Sequence, residues 1–261
     1  MVLEGRVALV TGASRGVGRA IAIALAQAGA HVACAARATD RSPFKLPGTI
    51  DGTVRAVEAA GRHGFAVPTN LALDDDVERM VRTAHAHFGR IDILINNAAI
   101  TFPGDLDVPM KRYDLMMNVN VRAPLVATRA VAPLMATAGG GAIINISSAA
   151  GLHVFPGLMV YGMSKAALER MSLDLAAQLQ PQRIAVNVFR IDLPIASEGF
   201  VANLPNVDHS TWEPTEVPAE GVIWMLRQPA EYTGQLVSME ALRKEQGIMR
   251  TRVRNHVPRE A

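Results

Sequence analysis

Tyr161 and Lys165 lie four residues apart in a stretch of helical periodicity, so a helix would project both side chains from one face. A phenol beside an ammonium is a candidate acid/base. Reducing a carbonyl requires a proton donor at its oxygen as hydride reaches the carbon, and oxidising an alcohol requires the reverse. A free tyrosine titrates at about 10, too high for a good base at neutral pH, and a nearby lysine can lower it by about 1–3 units. Taken alone, a Tyr and a Lys at this spacing more often share a surface stripe. A second constellation stands near the N-terminus, Thr11-Gly12-Ala13-Ser14-Arg15-Gly16-Val17-Gly18. Glycines there permit a tight turn and close backbone approach to a diphosphate, while the free N–H groups and positive end of a following helix favour an anion. Such a turn can also serve only helix–strand packing, but its setting between a strand and a helix favours binding.

The rest of the chain supplies elements to hold these groups. Arg6 to Val10 reads as a strand, Arg15 to Ala28 as a helix with Gly29 at its end, and His31 to Ala36 as a second strand. Asp51 to Ala60 reads as helix, Phe65 to Thr69 as strand, and a helix opening on Asp74-Asp75-Asp76 ends near Phe88. Strand Ile91 to Ile95, one long helix Lys111 to Ala136, strand Ala142 to Ser147 and helix Tyr161 to Leu179 follow, the last stopped by Pro181. Strand Ile184 to Phe189, a helix opened by Pro218 and strand Gln235 to Met239 complete the alternation. Strands alternating with helices, with apolar strands, predict an α/β fold in which a parallel sheet is covered on both faces. No Pro/Gly/Ser-rich linker divides the 261 residues, so one domain is expected, with a C-terminal tail from about 243.

The spacing Thr-Gly-x-x-x-Gly-x-Gly resembles the short-chain dehydrogenase/reductase family, and the resemblance recurs in order along nearly the whole chain. Asn96-Asn97-Ala98-Ala99 resembles the family's Asn-Asn-Ala-Gly, with Ala99 replacing glycine. Asn120 in Asn118-Val119-Asn120 matches the catalytic asparagine, Ser148 the serine, and Tyr161-Gly162-Met163-Ser164-Lys165 the Tyr-x-x-x-Lys motif. Lys45 to Ile50, Asp114 to Asn120, Thr233-Gly234 and Glu245 to Ile248 resemble the hydroxysteroid dehydrogenase-like subfamily. That name does not establish a steroid substrate, and the chain ends before the sterol-carrier domain of the larger members could begin. The resemblance implies a doubly wound, Rossmann-type sheet of seven strands in the order 3-2-1-4-5-6-7. It also implies that Tyr161 is the acid/base, that Lys165 holds the nicotinamide ribose, that Ser148 bonds the substrate oxygen and that Asn120 supports a water-linked proton path. Gly12, Ser14, Arg15, Gly16, Val17, Gly18, Asn97 and Ala98 are expected to line the cofactor, with Asn70 and Leu71 beside the adenine and Ile195 and Ser197 beside the nicotinamide carboxamide. Two long helices resemble those of the family's dimer interface, which implies a homodimer or homotetramer, although their apolar content could be spent within one subunit.

Cofactor choice turns on the end of the second strand. An acid there would accept hydrogen bonds from a ribose 2′-hydroxyl, but Ala36 holds the place and Arg37 follows. Arg37 and Arg15 can neutralise a 2′-phosphate, so NADP(H) is favoured over NAD(H). One departure from the family pattern follows the sixth strand, where Ile191-Asp192 replaces Pro-Gly. It makes a non-catalytic NADP(H)-binding regulatory or scaffold protein conceivable, whereas the intact Asn120, Ser148, Tyr161 and Lys165 argue for an enzyme. A carbonyl or alcohol substrate, mainly apolar, is expected, with Leu152, Val154, Phe155, Leu158, Met159 and Phe200 as pocket walls or, for several, plain core.

Composition excludes other classes. With 49% apolar and 19% charged residues the chain can bury a large core, and a formal charge of +2 gives no field that implies nucleic acid. Arg250, Arg252, Arg254 and Arg259 read as a solvated or packed tail rather than an RNA-binding arm. The seven His show no zinc pattern, and no metal is expected. The Ala20 to Ala36 stretch, interrupted by Gln27, Gly29 and His31, falls short of a membrane span. No room is left for a signal peptide before the first strand, and a single cysteine, Cys34, fits a reducing compartment, so a cytoplasmic location is expected.

Overall fold

The computed structural model describes residues 1–253. Seven parallel strands form one sheet in the order β3-β2-β1-β4-β5-β6-β7, as the resemblance implied. They are β1 Val7–Thr11, β2 His31–Ala36, β3 Gly64–Pro68, β4 Ile93–Asn96, β5 Gly141–Ser148, β6 Ile184–Ile191 and β7 Leu236–Ser238. Helices α1 Gly16–Gln27, α2 Ile50–Ala59 and α8 Glu216–Leu226 cover one face, with α9 Met239–Gln246. Helices α3 Asp74–Phe88, α5 Ala123–Thr137 and α6 Met159–Leu179 cover the other.

The central strands are mainly apolar because both faces of the sheet are covered there. Ala8 and Val10 of β1 pack towards α1 with Ile93, Ile95 and Ile144, whereas Leu9 packs towards α3 and α5 with Leu94 and Ile143. Alternate residues of a strand point to opposite faces, and burying each Leu or Ile stabilises by roughly 1.5–3 kcal/mol. Cys34 lies in this core, where burial pushes its thiol up to about 12 and leaves it unreactive. At the sheet end where the strands begin, buried Asp92 bonds Arg6, Arg90 and the Val7 N–H.

Three expectations need correction. The helix expected from Lys111 to Ala136 is α4 Met110–Met117 and α5 joined by a π-helical segment, Asn118–Arg122. A wider turn of this kind re-aims a side chain, and here Asn120 is turned into the interior. Strand β6 runs two residues beyond Phe189, to Ile191, because Ser147 and Ser148 of β5 still offer backbone partners to Arg190 and Ile191. The tail expected from 243 begins inside α9; that helix and α7 Glu198–Asn203 went unread, although Ser197 and Ser238 cap them, each accepting a backbone N–H from the first turn. Of the C-terminal arginines, Arg252 pairs with Glu220 and its N–H with Glu213, while Arg254 and Arg259 lie outside the described residues.

Candidate active site

Strand β5 ends at Ser148, and α6 delivers Tyr161 and Lys165 beside it. A Cβ at Gly162 would lie 2.6 Å from the Ala150 carbonyl oxygen, so glycine lets α6 approach the turn after β5 this closely. The Ser148 hydroxyl accepts the Ala150 N–H at 3.3 Å and stands near enough to the Tyr161 phenol to favour its charged form. The Lys165 Nζ stands 5.6 Å from the Tyr161 ring centroid and donates to the Ile146 carbonyl at 2.8 Å. Burial pushes this amine down to about 8, while Glu169, one helical turn on, acts in the other direction. The phenol departs from expectation. Burial raises Tyr161 above its ordinary value and outweighs the opposing influence of the Ser148 hydroxyl, because a charged phenolate loses more solvation here than the site returns.

Asn120 donates to the Ile100 carbonyl at 2.9 Å and accepts the Ile100 N–H at 2.9 Å, and it also donates to Ser164 Oγ at 3.0 Å. It therefore ties the segment after β4 to α6 at the residue before Lys165. Beneath the site, buried Glu169 accepts from Ser147 at 2.7 Å and pairs with Arg190 of β6 through two bonds of 2.9 and 2.8 Å. Sequence reasoning missed this pair, although Glu169 continues the Tyr161–Lys165 helical stripe by one more turn. The Ile191-Asp192 departure is thus a strand end, and Asp192 accepts the Glu240 N–H at the start of α9.

The glycine turn connects β1 to α1 as expected. A Cβ at Gly18 would overlap the Gly12 carbonyl oxygen, and one at Gly12 would lie 2.8 Å from Asn97 Nδ2. Asn97 donates to the Thr11 carbonyl at 2.9 Å, and the N–H groups of Asn97 and Ala98 donate to Thr11 Oγ1 at 3.0 and 3.2 Å. Thr53 of α2 secures the turn by donating to the Ala13 carbonyl at 2.7 Å. Thr11 and Thr53 were not among the expected site residues; their roles emerge only when β4 and α2 pack against the turn. Ser14 is buried in the turn, and Gly16, Val17 and Gly18 form the first turn of α1.

At the end of β2, Ala36 is followed by Arg37, whose guanidinium lies 4.7 Å from the Phe44 ring centroid. Arg15 donates to the Gly48 carbonyl at 3.2 Å from across the turn. Burial first, and then the like charge of Arg37, lower Arg15, with Glu198 opposing. Asn70 Oδ1 accepts the Ala72 N–H at 3.2 Å, which leaves its amide group outside that contact, and Leu71 lines a small cleft with Ala98 and Val119. Ile195 is buried and bridged to Glu213, while Ser197 sits against the glycine turn, its Cβ 3.2 Å from where a Gly16 Cβ would be. Leu152, Val154, Phe155, Met159 and Phe200 are exposed rather than core. Asp105 holds the loop that carries the first three by accepting the Gly157 N–H at 2.9 Å.

The cradle suits a dinucleotide. Gly12 and Gly18 leave space no side chain could share, the first-turn N–H groups of α1 have no side-chain cap, and buried Arg15 Nε lacks a partner. Comparison agrees with this geometry. A model of the short chain dehydrogenase family matches residues 6–192. Hydroxysteroid dehydrogenase-like protein 2 of Mus musculus is 34% identical over 259 residues, covering 94% of this chain and 50% of its own length. Dehydrogenase/reductase SDR family member 4 of Sus scrofa is 37% identical over 187 residues, covering 71% of this chain and 64% of its own length. The chain thus spans only half to two thirds of these curated relatives. A short chain dehydrogenase from Mycobacterium paratuberculosis, solved bound to NAD, superposes with a TM-score of 0.78 at 29% identity, over 92% of this chain and 98% of that one.

Proposed function

This chain belongs to the short-chain dehydrogenase/reductase family, and from that premise we propose that it is an NADP(H)-dependent oxidoreductase of a mainly apolar carbonyl or alcohol. The observation that carries the reading is the convergence of Tyr161 and Lys165 at the end of β5 beside Ser148, with Lys165 Nζ 5.6 Å from the Tyr161 ring centroid and fixed on the Ile146 carbonyl. A bound nicotinamide supplies or accepts the hydride. Tyr161 donates the proton to the carbonyl oxygen in reduction and takes it back in oxidation, and Ser148 orients that oxygen. A phenol held above its ordinary pKa stays protonated at neutral pH, which suits the donor role. Lys165 holds the ribose and, as an ammonium, eases loss of the Tyr161 proton. Gly12, Ser14, Gly16, Val17 and Gly18 accommodate the diphosphate, Asn97 and Ala98 line the cofactor beside that turn, and Ile195 and Ser197 flank the nicotinamide carboxamide. NADP(H) is supported by Ala36 in the place of an acid, with Arg37 and Arg15 close enough to repel each other.

Exposed Leu152, Val154 and Phe155 support an apolar substrate, since a water-facing patch of this kind marks a binding surface. The Ile191-Asp192 segment, which made a non-catalytic binder conceivable, ends β6 and lets Asp192 accept the Glu240 N–H. Leu125 of α5 and Leu173 of α6, both exposed, support a homodimer or homotetramer, and the buried, unreactive Cys34 fits a cytoplasmic setting. Among the described residues no helix is long and apolar enough to cross a membrane. The test is loss of NADPH absorbance with ketones, aldehydes, steroids and 3-oxoacyl thioesters, run against NADH, with light scattering on the same sample. Turnover of at least one substrate faster with NADPH, by an oligomer, is expected; no turnover with either cofactor, or a preference for NADH, overturns the corresponding part.

A further inference from the structure

Helix α1 starts without the usual compensation for its positive end. Its N-cap side chain, Arg15, makes no capping bond, and its first turn holds no acid. An acid reaches the place from elsewhere in the chain. Glu198, the first residue of α7, puts Oε2 3.5 Å from where a Cβ of Gly16 would be, against the first residue of α1. That oxygen is buried and has no hydrogen-bond partner, and Arg15 Nε on the same turn is in the same condition. The carboxylate also acts on the Arg15 guanidinium, favouring its charged form. Two buried, unpartnered, oppositely charged atoms thus flank the segment that the proposed function gives to the cofactor diphosphate.

We infer that Glu198 is an internal stand-in for that diphosphate, a carboxylate that rests on the positive end of α1 and must swing away when the dinucleotide binds. The inference rests on the dinucleotide reading above. A carboxylate and a diphosphate cannot share one helix start without repulsion, and a buried anion lacking hydrogen bonds is not anchored there. Its departure has a consequence for substrate. Glu198 opens the short helix that carries Phe200, which is exposed, stacks on Trp212 at 4.7 Å between ring centroids and is one of the residues expected to wall the substrate pocket. Moving Glu198 therefore also moves the helix that carries Phe200, so cofactor entry is coupled to the position of that ring.

Titration of NADPH, NADH and, separately, inorganic pyrophosphate into the full chain by calorimetry tests this with wild type, Glu198→Gln and Glu198→Ala. Removing one like charge near a diphosphate should tighten NADPH and pyrophosphate by about tenfold. Hydrogen exchange over residues 197–203 should rise on NADPH binding in wild type. Unchanged or weaker NADPH and pyrophosphate affinity in both variants, with native circular dichroism, overturns the inference and leaves the dinucleotide reading standing. Failure of wild type and both variants to bind NADPH or NADH overturns the dinucleotide reading, and the inference with it.

Discussion

Behind the Ser148–Tyr161–Lys165 corner the buried polar side chains of Asn120, Ser164, Ser147, Glu169 and Lys165 are bonded to one another or to the backbone, whereas at the glycine turn Arg15 and Glu198 keep buried atoms with no partner. Asn120, Ser164, Lys165, Ser147 and Glu169 all have hydrogen bonds inside the chain. Such a corner is organised before any ligand arrives, which is what proton transfer in a fixed geometry requires. The turn leaves its charges unmatched, and an anion supplies the match. Precise chemistry and strong binding thus place opposite demands on how fully a site satisfies itself.

The largest effect expected on this contrast is at Tyr161. Tyr161→Phe removes one hydroxyl and should lower kcat by roughly 10²–10⁴-fold while NADPH affinity stays within experimental error. Lys165→Ala should weaken both, since that residue serves ribose and tyrosine. Wild-type turnover in Tyr161→Phe would remove Tyr161 as proton donor. At the turn, Arg37→Asp should shift the NADPH/NADH affinity ratio by about 10–100-fold towards NADH, the worth of a charged hydrogen bond to phosphate. An unaltered ratio would show that Arg37, held at the Phe44 ring, does not read the 2′-phosphate. The smallest effect belongs to the self-satisfied corner. Asn120→Ala leaves the Ile100 N–H and carbonyl without their partner and should cost about 1–3 kcal/mol, a melting point lower by roughly 2–12 °C. A melting point within a degree of wild type would mean that the Asn120 bonds do not hold this corner together.

Much of the fold was legible in the sequence because its signals are local. Helix and strand periods, the Asp74-Asp75-Asp76 helix start, and Gly29 after α1 each depend on residues a few positions apart. The same holds for the glycine turn and for Tyr161 with Lys165, whose i, i+4 spacing is a property of any helix. What escaped was set by neighbours distant in the chain. The π segment at Asn118–Arg122 depends on Ile100 and Ser164 bonding the Asn120 side chain, and the reach of β6 to Ile191 on its pairing with β5.

By itself, then, the sequence determined the alternating α/β plan, the strand order through its family resemblance, and which side chains could carry acid/base chemistry. Only the tertiary structure decided the balance of forces on those side chains. Burial raised the Tyr161 phenol where lysine proximity alone predicted lowering, and β6 brought Arg190 to Glu169 beneath Lys165. The chain also folded Glu198 back onto a turn far from it in sequence. The physical reason is that desolvation and charge pairing depend on the three-dimensional surroundings, and spacing along the chain does not encode them.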